Sequence, residues 1–251
     1  MGKAITEAIN QHKDLELCAA IEFPNHPDLG VKIGQVVVTG DLEKVVDSCD
    51  IVVDFTNPST TVNHARIAAE HKKAYVTGTT GLSPDQLAVL KQTSATIPIV
   101  HAPNMSVGVN LLYRLAQNVA SILGSDFDVE IIETHHRFKK DAPSGTAVRL
   151  ADILKSNRAD SHSVGMDSHI IHGRNGLVGE RPTGEIAIHA VRGGDVVGDH
   201  TVIFAGIGER LEITHRAHSR ATMANGAIRA IRFVLTKPPG LYSMSDVLGL
   251  K

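Results

Sequence analysis

The chain has 251 residues, a formal net charge of −2, 42% hydrophobic and 21% charged residues, and no Trp. That length can bury a real core and divide into two modest domains, while the near-neutral charge leaves no global basic footprint for nucleic acid. No apolar run approaches the about 20 residues of a membrane span, the N-terminus has no apolar signal core, and scarce aromatics argue against stacking platforms for single strands or sugars.

In chain order, 1–12 reads as a helix with Ala4, Ile5, Ala8 and Ile9 on one face. Leu15 to Ile21 reads as a buried strand ending on Glu22, followed by a Pro/Gly-containing loop to Gly34. Gln35 to Val38 is a short strand, Asp41 caps a helix through Val46, and Asp50 to Phe55 is an apolar strand. Pro58 opens a helix to His71, Ala74 to Thr77 is a strand, and Ser83-Pro84-Asp85 starts another helix with Pro in its favoured first turn. Ile97 to His101 is the next strand. This alternation predicts βαβ units and a mostly parallel sheet, in which ligands sit beyond the carboxyl ends of the strands. Those ends are Glu22, Phe55-Thr56, Gly78-Thr79-Thr80 and Ala102-Pro103-Asn104-Met105. Gly, Thr, Asn and Pro are ordinary turn residues, so one such loop means little and four in succession mean more. Glu22 is more specific: an acidic residue about 20 residues beyond a glycine turn binds ribose hydroxyls, and Gly2 lies at that distance.

After Ser106 the pattern changes. A long helix spans about Val107 to Leu123, a strand begins near Glu130, and a helix runs from about Ser144 to Lys155. Ser156 to Gly165 reads as a loop; then Ser168–His172, Glu185–Arg192, His200–Ala205 and Glu209–Arg216 read as strands of a large open sheet, which needs a cover such as another subunit. Arg220 to Leu235 returns to a helix packed on the first domain. The expected fold is therefore α/β: a Rossmann-like parallel-sheet domain from residues 1–106 and 217–251, and an α+β domain with a large open sheet from 107–216. Cys18 and Cys49 sit in apolar segments and read as buried thiols of a reducing compartment, so a soluble, cytoplasmic protein is expected.

The densest chemistry lies in Glu130 to Ala147, EIIETHHRFKKDAPSGTA. A lone His is usually structural, a Lys-Lys pair is usually a solvated face, and Ser-Gly-Thr before an apolar run is usually only a helix cap. Together, His135, His136, Arg137, Lys139, Lys140 and the Ser144-Gly145-Thr146 turn suit an anion that must be both held and protonated. A helix N-terminus binds carboxylate or phosphate, His passes protons near neutral pH, and Lys clamps an anion or donates a proton.

The same stretch resembles the signature E-x-H-H-x-x-K-x-D-A-P-S-G-T of the 4-hydroxy-tetrahydrodipicolinate reductase (dihydrodipicolinate reductase) family. DFT at Asp54, GTTG at Gly78, APNMSVGVN at Ala102 and GERLEITHRAHSR at Gly208 extend the resemblance over nearly the whole chain. It implies reduction by NADH or NADPH of the ring made from pyruvate and aspartate semialdehyde, in lysine and diaminopimelate biosynthesis, by a homotetramer. It assigns substrate binding and oligomer formation to the 107–216 domain. It implies that His135 is the acid/base and Lys139 the proton donor. His136 and the backbone at Gly145 and Thr146, next to Ser144, would hold the dicarboxylate, with Lys140 adding charge. The nucleotide side would take Met1, Gly2, Glu22, the three strand-end loops and Arg220.

Two departures stand out. The family begins with an apolar strand and a glycine turn, of which only Met1-Gly2 is present, so the first strand is expected to be missing, with two strand edges exposed and phosphate-binding N–H groups lost. An internal methionine taken as the start, or a truncation, is the expectation drawn from this. Phe23 follows Glu22 where many members have Arg to pair with the 2′-phosphate, and Lys32 is a weak substitute, so NADH should serve at least as well as NADPH. The rival readings are another Rossmann-type reductase, a non-catalytic or impaired homologue, and a metal site. A semialdehyde dehydrogenase would need a nucleophilic Cys in a polar strand-end loop. The 14 His include no H-E-x-x-H or Cys/His pairing, so no metal is expected, and His215 and His218 read as surface or substrate-side residues.

Overall fold

In a computed structural model, which describes residues 1–159, 169–219 and 221–250, the chain divides into two compact units. One comprises Met1–Val107 with Ala221–Lys251, the other Gly108–Arg220.

The first unit begins with helix α1 (Gly2–Asn10), which buries Ile5, Ala8 and Ile9. Strands β1 (Ala20–Ile21), β2 (Lys32–Ile33) and β3 (Val36–Thr39) form one small sheet in the order β1-β3-β2. Strands β4 (Ile51–Asp54), β5 (Ala74–Thr77), β6 (Pro98–His101) and β12 (Gly240–Tyr242) form a second, wholly parallel sheet in the order β12-β6-β5-β4. Successive strand residues point to opposite faces, and helices cover both. Tyr75, Ile97 and Ile99 pack with Ala65 and Ala68 of α2 (Pro58–Glu70) and Leu90 of α3 (Pro84–Thr93). On the other face Val76, Val100 and Ala102 meet α1 and Ala227, Ile228 and Ile231 of α6 (Ala221–Val234). Both outer helices start as their sequences require: the Asn57 carboxamide caps α2, Ser83 and Gln86 form a capping box on α3, and each has Pro in the first turn.

Several expected elements differ. The strand foreseen from Leu15 forms a ladder only at Ala20 and Ile21, because β3 offers partners to those two residues alone. Among the described residues β1 and β4 share no ladder, so the parallel sheet stands in two pieces; Leu15 and Leu17 still pack against the core. The loop before Gly34 contains β2, paired with β3 through a tight hairpin in which Gly34 takes φ +62°. The helix expected from Asp41 is only turns and a 3₁₀ segment, Val46–Ser48. Leu42 and Val46 are buried, but five or six residues give too few hydrogen bonds to offset nucleation. Cys18 is exposed and Cys49 half-buried rather than both buried, and both are free thiols. Beyond α6 the chain adds β12 and α7 (Met244–Leu248), the latter announced by a Ser243–Asp246 capping box.

The second unit is a five-stranded mixed sheet in the order β11-β10-β7-β9-β8. Its elements are α4 (Val107–Leu123), β7 (Asp128–His135), α5 (Gly145–Ala159), β8 (Ile170–His172), β9 (Ile186–Arg192), β10 (Gly198–Ala205) and β11 (Arg210–Ala217). Helix α5 runs through part of the expected loop from Ser156; 160–165 of that loop, and Ser168, lie outside the described residues. Leu112, Ala116 and Ala120 of α4 and Ala147, Leu150, Ala151 and Leu154 of α5 pack on Val129, Ile131, Ile186, Ile188, Val202 and Phe204. These residues cover one sheet face, and the other leaves Ile132 and Val191 exposed. The β8–β9 connection is held to the sheet by charge: Arg174 pairs with Glu130 and Glu185, and Arg181 with Glu130 and Asp128.

Gly226 shows how tightly α6 is seated. A Cβ there would stand 1.7 Å from the Met105 carbonyl oxygen. Gly→Ala inside a helix ordinarily gains about 1 kcal/mol. Here Gly226→Ala should instead cost on the order of 3 kcal/mol; a urea midpoint equal to or above that of the unsubstituted protein would contradict this packing.

Candidate active site

Strand β7 changes character along its length. Its covered side reads Val129, Ile131, Glu133, His135, so an apolar row ends in two ionisable groups. Glu133 is wholly buried. A buried carboxylate survives only if its lone pairs are filled, and four donors fill them. Arg192, at the end of β9, reaches both oxygens at 2.7 Å. The Ser144 backbone N–H donates to Oε1 at 3.0 Å, and His135 Nδ1 lies 2.6 Å from Oε2. The carboxylate thereby ties β9, the start of α5 and the His135 imidazole to one point. It also selects the His135 tautomer: with Nδ1–H given to Glu133, Nε2 is the atom left for exchange.

Burial is the largest influence on the His135 imidazole and lowers its pKa; Glu133 pulls the other way, and the charges of Lys139 and Arg192 lower it further. Burial alone would raise Glu133, but Arg192, His135 and the Ser144 N–H together hold it below the ordinary carboxylate value. Gly198 leaves room beside this imidazole, since a Cβ there would lie 3.0 Å from Nε2. Across the ladder from Glu133 stands buried His200. Its Nε2 lies 3.0 Å from Ser144 Oγ, and its ring meets that of His135 edge-on at 5.2 Å.

The loop after β7 carries the cations. Lys139 pairs with Asp141 at 3.0 Å, and the Asp141 carbonyl accepts from Arg192 at 2.7 Å, so the hub also anchors this loop. His136 is half-buried and its Nδ1 has no hydrogen-bond partner among the described residues. Lys140 is exposed. Ser144 caps α5 by accepting the Ala147 N–H at 3.3 Å, which places Gly145 and Thr146 at the positive end of a fifteen-residue helix. Among the described residues nothing lies within 4 Å of where a Cβ would stand on Gly145, so a ligand can approach that backbone closely.

The other expected residues sit in the first unit. Met1 and Gly2 form the start of α1, and Glu22 is exposed at the end of β1. Phe55, Thr56, Gly78, Thr79, Thr80, Ala102, Pro103, Asn104 and Met105 follow the carboxyl ends of β4, β5 and β6. They differ in what they offer. Thr56, Thr80 and Pro103 are exposed, whereas Thr79, Ala102 and Met105 are buried. Asn104 Oδ1 accepts the Ser106 N–H at 2.9 Å, and the Phe55 ring lies where a Gly78 side chain would be. Arg220 lies outside the described residues. Exposed backbone at successive parallel-strand ends, an acidic group at the end of β1 and an open helix N-terminus suit a dinucleotide.

Comparison with known proteins gives the family. The family model "Dihydrodipicolinate reductase, N-terminus" matches residues 1–105, and "Dihydrodipicolinate reductase, C-terminus" matches 108–248. The chain belongs to the dihydrodipicolinate reductase family. It is 44% identical to the 4-hydroxy-tetrahydrodipicolinate reductase of Citrifermentans bemidjiense, covering 100% of this chain and 96% of the relative. It is 47% identical to that of Desulfotalea psychrophila, covering 100% and 95%. The dipicolinate-bound dihydrodipicolinate reductase of Paenisporosarcina sp. TG-14 superposes with a TM-score of 0.77 at 27% identity, over 98% of this chain and 94% of that one. The activity is NAD(P)H-dependent reduction of 4-hydroxy-tetrahydrodipicolinate in lysine and diaminopimelate biosynthesis, and neither an impaired homologue nor another reductase gains support from these relatives.

Sequence reasoning missed Glu133, Arg192 and His200, which build the hydrogen-bonded cluster around His135. Glu133 opens the quoted signature and could have been found by strand alternation, which puts it beside His135. Arg192 and His200 carry no local signal, because only the ladder brings them there. His215 and His218 separate: His215 packs against Gly108, its Nδ1 without a partner among the described residues, whereas His218 is exposed.

His200 gives a pH signature. Burial, with His135 acting in the same direction, holds its pKa at about 4. The unfolded chain binds a proton at His200 below about 6.5 that the folded chain refuses until about 4, so stability should fall over that window by about 3 kcal/mol. Urea midpoints followed through that window should fall more steeply for the unsubstituted protein than for His200→Gln; equal slopes would mean that His200 is protonated in the folded chain.

Proposed function

We propose that the second unit of this reductase holds the substrate dicarboxylate and supplies its proton, while the first unit holds the cofactor. The observation that carries the first half is the Glu133–His135 pair at 2.6 Å beside Lys139 and the start of α5. A neutral imidazole bound to Glu133 through Nδ1 presents a lone pair at Nε2, so His135 accepts and passes a proton there. The Lys139 ammonium carries a proton to give, and its link to Asp141 keeps it near the loop surface until a dianion competes for it. Gly145 and Thr146 offer helix-end N–H groups to one carboxylate, and His136, Lys140 and the Ser144 turn complete the anionic pocket.

When bound, the nicotinamide supplies a hydride. The residues of the first unit bind and orient it. The Glu22 carboxylate, exposed at the end of β1, accepts from ribose hydroxyls. Phe23 beside it is 61% exposed and uncharged. Lys3, the nearby cation, pairs with Asp28 at 3.6 Å. A 2′-phosphate would meet acidic groups here, which favours NADH. We further infer a homotetramer in the cytoplasm: the bare face of the mixed sheet exposes Ile132 and Val191, and a second copy of that sheet would cover it.

The direct test is substrate-dependent oxidation of each reduced nicotinamide by the purified protein, with NADH expected to serve at least as well as NADPH. A strong kinetic preference for NADPH would refute the Glu22–Phe23 reading, and Phe23→Arg should move the ratio toward NADPH by about tenfold. Lys139→Ala should lower kcat by on the order of a hundredfold or more while leaving NADH affinity nearly unchanged. His135→Gln should do the same, and normal turnover in either variant would remove that residue from proton transfer.

A further inference from the structure

The parallel sheet of the first unit does not end in apolar side chains on its α2/α3 face. Above Tyr75, Ile97 and Ile99 lies a buried polar layer centred on Asp54, the last residue of β4, which is 2% exposed. Asp54 Oδ1 accepts the Thr56 backbone N–H at 2.9 Å and the Thr56 hydroxyl at 2.7 Å. It also accepts the Thr79 hydroxyl at 3.3 Å, which in turn accepts from Thr61 at 2.7 Å. Asp54 Oδ2 accepts the Tyr75 hydroxyl at 2.8 Å and lies 2.9 Å from His64 Nδ1. One carboxylate thus joins the loop after β4, the loop after β5 and helix α2.

We propose that Asp54 is a positioning residue for the nicotinamide cofactor, holding the Phe55-Thr56 and Gly78-Thr79-Thr80 loops at one fixed spacing. Burying a carboxylate costs several kcal/mol unless its partners repay it, and an apolar residue would close the top of this layer more cheaply. Three of its six donors, the Thr56 N–H, the Thr56 hydroxyl and the Thr79 hydroxyl, belong to the two loops that flank the ligand side of the sheet. Tyr75 and α2 brace the carboxylate from below and behind. The loops also interlock by shape, because the Phe55 ring occupies the space a Gly78 Cβ would need, with Cε1 only 2.0 Å from that point. Without Asp54, Thr56 N–H keeps its bond to Thr79 Oγ1 at 3.1 Å and that hydroxyl keeps its Thr61 donor at 2.7 Å, but the charged centre that draws both loops to one point is gone. The loops then stay folded yet lose their mutual register, which weakens cofactor binding before it touches proton transfer in the other unit.

This inference rests on the cofactor reading of these loops, so the experiment separates the two. Steady-state kinetics are measured for Asp54→Asn, for Tyr75→Phe and for Gly78→Ala, the last forcing Phe55 off its seat directly. Asp54→Asn should raise KM for NADH about tenfold and Tyr75→Phe about threefold, with kcat and the substrate KM within about twofold. Loss of folded protein lowers the apparent kcat and leaves KM alone, so the split excludes a purely structural role. If Gly78→Ala raises the cofactor KM and Asp54→Asn and Tyr75→Phe do not, the positioning role falls while the cofactor reading stands. If none of the three moves the cofactor KM, the cofactor reading of these loops falls and takes this inference with it. Should Asp54→Asn fail to fold, Tyr75→Phe decides alone, and an unchanged cofactor KM there overturns the proposal.

Discussion

A charge buried at zero exposure constrains everything around it. Glu133 must have its four donors, and they come from three places: two from the guanidinium at the end of β9, one from the start of α5, and one from the imidazole two residues along its own strand. Removing any donor would leave an unpaired lone pair in a dry interior. The strand order β7-β9, the entry angle of α5 and the tautomer of His135 are therefore one linked condition. The chemistry of the loop from His136 to Pro143 follows from it, because Arg192 also reaches the Asp141 carbonyl.

The two units use the same device for different ends. In each, an acidic residue sits where an apolar strand face runs out, and it collects donors from the elements that carry the functional loops. Asp54 gathers mainly hydroxyls, with the Thr56 N–H and the His64 imidazole, and hydroxyls rearrange at little cost, which suits the proposed cofactor loops. Glu133 gathers a guanidinium, which is rigid and permanently charged, and suits a site that must hold an imidazole at one angle.

Local pattern made much of this legible. The α4 and α6 helices, strands β3, β4, β5 and β6, the strands of the mixed sheet and the loop from His135 to Thr146 follow from periodicity, caps and a dense motif, whereas β2 and β12 were not foreseen; the family resemblance added the reaction. What was not legible depended on long-range pairing. Residues 15–19 have strand-like alternation but no neighbouring strand to bond among the described residues. The segment after Asp41 has a cap and buried Leu42 and Val46, yet too few residues to propagate a helix. Cys18 was expected inside and lies outside, because apolar neighbours in sequence do not fix which side of a short strand faces the core. Arg192 and His200 became visible only once the registers His135 with Arg192 and Glu133 with His200 were known.

The edge of the mixed sheet limits how the second unit can meet its surroundings. Strand β11 is eight residues long and bonds only to β10, so one full row of its backbone groups is unpaired by any strand among the described residues. Such a row is a template for sheet extension, the geometry by which chains grow into fibres. Arg210, Glu212 and Arg216 stand along it, exposed and of mixed sign. An incoming strand would have to strip water from these charges, whereas a neighbour stacked on the flat of the sheet would not. The edge thus acts as a filter on geometry, penalising open-ended growth and leaving closed, face-to-face contact as the cheaper encounter.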